Sequence, residues 1–114
     1  MPKTLDFNSY RRPELVLVMK DDAQTVIHVT TPILQLVEEL KANLSELQRA
    51  LTAGDAESSK MLYTLAARLI NCNLDGLTVT GPELAKKYRL NLADMTNFYE
   101  VYLDFIEEIK AAKN

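Results

Sequence analysis

Tryptophan is missing from this 114-residue chain, and cysteine and histidine occur once each, as Cys72 and His28. A single cysteine excludes an internal disulfide, and one cysteine with one histidine cannot build a Cys/His zinc site. Glycine (3) and proline (4) are scarce, which excludes collagen-like, glycine-linker and proline-rich architectures. The glycines stand apart at positions 54, 76 and 81, so no glycine-rich phosphate loop exists. A basic surplus is missing too: 13 Lys and Arg face 16 Asp and Glu, for a net charge of −3. Nucleic-acid binders normally carry the opposite balance, because neutralising phosphates supplies much of their affinity. The doublets Arg11-Arg12 and Lys86-Lys87 read as solvated charge. No run approaches the ~18 continuous apolar residues of a membrane helix. No apolar stretch of a secretory signal follows Met1-Pro2-Lys3-Thr4. The expectation is a cytoplasmic protein with neither a nucleic-acid nor a membrane partner.

Hydrophobic residues make up 47% of the chain, an ordinary share for a folded domain. The length suits one domain, 1–114, divided into an extended arm and β-hairpin (1–31) and a helical part (32–114). Leu15-Val16-Leu17-Val18-Met19 and Thr25-Val26-Ile27-His28-Val29-Thr30 are rich in β-favouring residues. The polar stretch Lys20–Gln24 between them fits a hairpin loop. Leu5-Asp6-Phe7 would add a third strand, with Pro13 at an edge or bend. Strand one is apolar on both faces, Leu15, Leu17 and Met19 against Val16 and Val18, so both call for cover.

Thr31 and Pro32 fit the cap and first position of a helix. Ile33, Val37, Leu40, Leu44, Leu47 and Leu51 then alternate spacings of four and three, which predicts one long helix ending at Gly54. Asp55 is placed to cap a second helix to about Asn73, with Met61, Leu62, Leu65, Ala66, Leu69 and Ile70 on its apolar face. Asn73–Gly76 reads as a turn and Leu77–Val79 as a brief extended piece. Thr80 or Gly81 caps a short helix carrying Leu84 and Tyr88, with Pro82 just inside. Asn91, with Asp94 three residues on, opens the last helix. The fold class is therefore α+β and mostly α: an N-terminal β-hairpin packed on a bundle of three to four helices.

Chemistry finds little purchase. The helical pairs Glu38-Glu39 and Glu107-Glu108 cannot converge on one pocket, because adjacent helical residues point apart. His28 reads as a half-buried sheet residue and Cys72 as a small buried apolar one. None of Ser9, Ser45, Ser58 and Ser59 sits in a nucleophile motif. No catalytic, cofactor-binding or metal-binding residue is expected, and the chain is read as no enzyme. The aromatic run Phe98, Tyr99, Tyr102 and Phe105 on the last helix fits core packing or a partner-facing groove. The partner-binding candidates are Leu15, Leu17, Met19, Phe98, Tyr99, Tyr102 and Phe105.

The layout carries a resemblance. The helix end Arg68-Leu69-Ile70-Asn71-Cys72-Asn73 leads into Gly76-Leu77-Thr78-Val79-Thr80, then Pro82-Glu83-Leu84-Ala85-Lys86-Lys87-Tyr88, and the chain closes on Phe98-Tyr99-Glu100-Val101-Tyr102-Leu103-Asp104-Phe105-Ile106. Over about residues 14–110 this resembles the small tail assembly chaperones of long-tailed phages and prophages, encoded next to the tape-measure protein. The resemblance implies a non-catalytic helper that binds and shields the tape-measure protein during tail assembly, with the tail tube protein as a further partner. A small structural tail or head–tail joining protein and a prophage-borne protein-binding regulator are the alternatives. Homo-oligomerisation and an intramolecular bundle fit the heptad spacing equally.

Overall fold

The structure, a computed structural model, describes Lys3, residues 15–53 and residues 55–112. The expected third strand at Leu5–Phe7, the bend at Pro13 and the helix end at Gly54 lie outside the described residues. The elements run β1 (Leu15–Val18), β2 (Val26–Val29), α1 (Leu34–Ala42), α2 (Leu44–Ala53), α3 (Ala56–Ile70), α4 (Gly81–Lys86) and α5 (Leu92–Ala112). This is the mostly helical α+β arrangement expected, with a two-stranded antiparallel hairpin at its N-terminal side.

The hairpin pairs Leu15 with Val29, Val16 with His28, Leu17 with Ile27 and Val18 with Val26. Its turn is tied by Asp21, whose carboxylate accepts the Thr25 N–H at 2.8 Å and the Thr25 hydroxyl. Gln24 takes a left-handed φ of 49° there. Leu15, Met19, Ile27 and Val29 are buried and put one face of the hairpin on the core. The other face has no such cover among the described residues: Val16 is 47% exposed, Val18 63% and Val26 44%.

The long first helix of the sequence pattern is two helices. Asn43 adopts φ −106°, ψ 10°, outside the helical basin. Its side-chain amide donates to the Glu39 carbonyl at 2.8 Å alongside its own backbone N–H at 3.1 Å. Such back-bonding competes with the helical ladder, so the chain turns at Asn43 and restarts as α2. The start differs as well. Thr30 donates its N–H to the Cys72 carbonyl at 2.8 Å, which keeps the chain extended past Thr31 and Pro32. The cap position therefore falls on Ile33, with no side-chain bond. Ile33 is 60% exposed and leaves the seam, of which only Leu40 and Leu47 are buried, while Val37, Leu44 and Leu51 are partly buried and Leu36 and Ala50 beside it are enclosed.

Helix α3 is the axis of the fold and packs on α2, α4, α5 and β2. Asp55 caps it by accepting the Ser58 N–H at 2.7 Å, and Leu62, Ala66, Ala67, Leu69 and Ile70 are its buried residues. The helix ends at Ile70, earlier than the sequence pattern indicates, because the next residues hold the following loop. The Asn71 amide brackets Val79, accepting its N–H at 2.7 Å and donating to its carbonyl at 3.0 Å. The Asn73 amide donates to the Ile70 and Leu77 carbonyls and accepts the Asp75 and Leu77 N–H groups. Two asparagines thus replace a strand as hydrogen-bonding partner for residues 75–79. Gly76, at φ 65°, makes the reversal between them.

Thr80 and Glu83 form a reciprocal capping box at the start of α4. A Cβ on buried Gly81 would lie 3.2 Å from the Thr64 nitrogen and the Tyr63 carbonyl carbon, both backbone atoms of α3. Gly81→Ala is expected to lower stability by ~1–3 kcal/mol through overpacking, against a helix-propensity gain of up to ~1 kcal/mol. A lower thermal midpoint checks this; an unchanged or raised one contradicts the close approach.

Helix α5 opens on a second reciprocal pair, Asn91 N–H to Asp94 Oδ2 at 2.8 Å and Asp94 N–H to Asn91 Oδ1 at 2.9 Å. Met95, Tyr99, Tyr102, Phe105 and Ile106 run down its buried face. The hairpin turn is fastened to this end of the fold by Lys20–Asp94 at 2.5 Å and Asp22–Arg89 at 3.4 Å. Arg68 joins α3 to α1 through Glu39 at 2.6 Å.

Candidate partner-binding surface

The seven residues singled out from the sequence divide by burial. Leu15, Met19, Tyr99, Tyr102 and Phe105 are buried members of the core, whereas Leu17 and Phe98 are only partly buried against it. Tyr99, Tyr102 and Phe105 face other parts of this chain and offer no docking surface in the folded molecule, whereas Leu15 and Met19 reach the edge of a groove. The reason is periodicity. Tyr99, Tyr102 and Phe105 share the face of α5 that carries Met95 and Ile106, and that face lies on α3. Phe98 stands beside the stripe, its ring 5.3 Å from Tyr99 and 5.5 Å from Tyr102.

Surface does remain next to these residues. Between β1 and the first half of α5 lies a groove of about 320 Å³, lined on one wall by β1 with Met19 and on the other by Asn97, Phe98 and Val101, with Ile70 and Leu90. Val101 is 48% exposed. Lys20 and Asp94 are the charged residues of the lining, and they neutralise each other at 2.5 Å. The Asp94 carboxyl sits below its ordinary range, held there first by Lys20 and then by the Asn91 N–H. Val16 and Val18 continue the apolar surface from the groove to the uncovered hairpin face, where Val26 lies across from Val18.

These residues were hidden from sequence reasoning for a specific reason. Val16 and Val18 are the alternate positions of a strand that is apolar on both sides, so pattern alone requires cover on both. Only the structure shows which face goes without. Val101 carries no signal beyond its place three residues after Phe98.

His28 belongs to the uncovered face and is exposed, where a half-buried position was expected. The strand alternation that buries Ile27 and Val29 turns His28 outward. Its N–H donates to Asp75 Oδ2 at 2.7 Å and its Nδ1 lies 3.1 Å from Asp75 Oδ1. Cys72 is partly buried rather than enclosed, with its thiol 3.8 Å from the Arg68 carbonyl. Among the described residues, no three His, Cys, Asp or Glu side chains gather as a metal site would need. No described helix is long and apolar enough to cross a membrane.

The His28 backbone bond, and after it the His28 ring, holds the Asp75 carboxyl below its usual range. A depressed carboxyl stabilises the fold above its unfolded value and loses that contribution as pH falls through the folded value. Asp75→Ala is therefore expected to lower the urea midpoint at pH 7 and to have a smaller effect once pH falls below the depressed folded value, where the wild-type carboxyl is protonated as well. An equal loss at both pH values contradicts this coupling of turn to hairpin.

No protein-family model, curated protein or solved structure matches this chain. What the surface can do is therefore judged on its own chemistry. It offers apolar area, one aromatic edge and a self-neutralised ion pair.

Proposed function

We propose that this protein is a non-catalytic tail assembly chaperone of a phage or prophage, which binds and shields the tape-measure protein in the cytoplasm of the host bacterium. The observation that supports this reading is the uncovered apolar surface formed by Val16, Val18 and Val26 with the groove edged by Phe98 and Val101. A polymer with exposed apolar stripes needs such surface supplied from outside until assembly covers it. The sequence resemblance supplies the identity of the client, and the absence of a nucleophile or phosphate-loop motif in the sequence favours binding over turnover.

Affinity capture with the protein encoded immediately downstream tests the reading: co-purification is expected, and failure to bind overturns it. The second reading, a small structural tail or head–tail joining protein, uses the same surface as a permanent joint. Mass spectrometry of finished particles separates the two. A chaperone is absent from them; a structural protein is retained.

A further inference from the structure

The two edges of the hairpin are treated differently, and the difference specifies a ligand. On the β2 edge the outward backbone groups of His28 and the Thr30 N–H are taken. The His28 N–H goes to Asp75, the His28 carbonyl accepts the Leu74 N–H at 2.9 Å, and the Thr30 N–H goes to the Cys72 carbonyl. Val29 and Asn73 also form an isolated antiparallel bridge. Because the His28 backbone points away from β1, its partner Val16 lies in a non-hydrogen-bonded pair. The Met19 N–H bonds the Thr25 carbonyl at 2.8 Å, which fixes the same alternation at the other end of the strand. The N–H and carbonyl groups of Val16 and Val18 therefore point out of the sheet on the β1 edge. No described strand pairs with that edge.

This edge, unpaired among the described residues, is one wall of the groove, with Phe98 and Val101 opposite. A row of outward backbone groups beside apolar walls is the recognition pattern of strand addition: main-chain bonds hold the ligand, and its alternate side chains enter the groove. The charge in the groove narrows the choice further. Lys20 and Asp94 neutralise each other, so an uncharged ligand is matched and a charged one is stripped of water without compensation. We propose that β1 accepts an extended, uncharged, apolar segment of another polypeptide as a third strand, paired through Val16 and Val18 and seated against Phe98 and Val101. This inference concerns the mode of binding and holds whichever protein supplies the segment.

Amide hydrogen exchange, read residue by residue, tests it. In the free protein the Val16 and Val18 amides are expected to exchange quickly while those of Leu17 and Met19 are protected. Addition of the peptide Thr-Val-Thr-Ile-Thr-Val-Thr is expected to slow Val16 and Val18 at least tenfold, with little change elsewhere on the hairpin. The peptide Thr-Glu-Thr-Glu-Thr-Glu-Thr is expected to leave them fast. In Val101→Glu, whose change lies on the opposite wall, the apolar peptide is expected to lose its effect while the Leu17 and Met19 amides stay protected. Slow Val16 and Val18 amides in the free protein at every concentration mean that the chain's own residues occupy the edge, and slowing only at high protein concentration means that a second copy does. Either result overturns the proposal, as does peptide binding that leaves both amides fast.

Discussion

Leu62→Ala is expected to lower stability by ~2–5 kcal/mol, the range for truncating a buried leucine. Leu62 has no exposed surface, and it lies on α3, which packs on α2, α4 and α5. Its backbone carbonyl also receives the Tyr99 hydroxyl at 2.5 Å. A cavity here lies under the whole helical layer, and the surrounding helices cannot all close on it. Small domains hold ~5–15 kcal/mol in total, and the change corresponds to a fall in thermal midpoint of on the order of 10–20 °C. Scanning calorimetry checks this. A fall of only a few degrees would show that α3 is not the axis of the packing.

The second large effect is alkaline instability. Burial raises the hydroxyls of Tyr99 and Tyr102 well above the ordinary tyrosine value. Above about pH 10 the unfolded chain gives up these protons and the folded chain keeps them. The unfolded state then binds fewer protons, so stability falls as pH rises. Each tyrosine contributes a slope of about 1.4 kcal/mol per pH unit between its unfolded and folded values. Urea midpoints are expected to drop steeply from pH 10 upward, and Tyr99→Phe and Tyr102→Phe each to remove part of the slope. At neutral pH the two substitutions are expected to act in opposite directions. The Tyr99 hydroxyl has the Leu62 carbonyl as partner, and its loss costs ~0.5–1.5 kcal/mol. Among the described residues the Tyr102 hydroxyl is buried without a partner, so its removal relieves a desolvation cost of ~1–3 kcal/mol. Equal signs at pH 7 would contradict this environment for Tyr102.

Much of this architecture is legible in the sequence, and the legible parts share a cause. Asp55, Thr80 with Glu83, and Asn91 with Asp94 act on backbone groups within three residues, so their spacing already contains the geometry. The hairpin and the buried stripe of α5 follow from periods of two and three to four. The illegible parts depend on partners elsewhere or on local competition. Nothing in the leucine spacing reports that Asn43 bonds the Glu39 carbonyl and breaks the helix. The β1–β2 pairing and the loop at Cys72–Asp75 together decide that His28 faces outward. Asn71 and Asn73 stand out in the sequence as part of a resemblance, but their work on residues 75–79 is visible only in three dimensions.

The candidate surface shows the same division. Sequence reasoning named residues on β1 and α5, chiefly at buried positions, because large apolar side chains stand out whichever way they point. The outward positions, Val16, Val18 and Val101, are small and ordinary as residues. Their significance comes from being uncovered together along one groove.

The proposed function has this protein lend that apolar surface to the tape-measure protein. Titration calorimetry of the purified tape-measure protein with the wild type and with the double variant Val16→Lys, Val18→Lys tests it most directly. Both substitutions lie on the exposed face and leave the buried face of the hairpin intact. The account predicts measurable binding by the wild type and at least a tenfold weaker affinity for the variant at an unchanged thermal midpoint. Equal affinity of the two proteins, or no binding by the wild type, contradicts it.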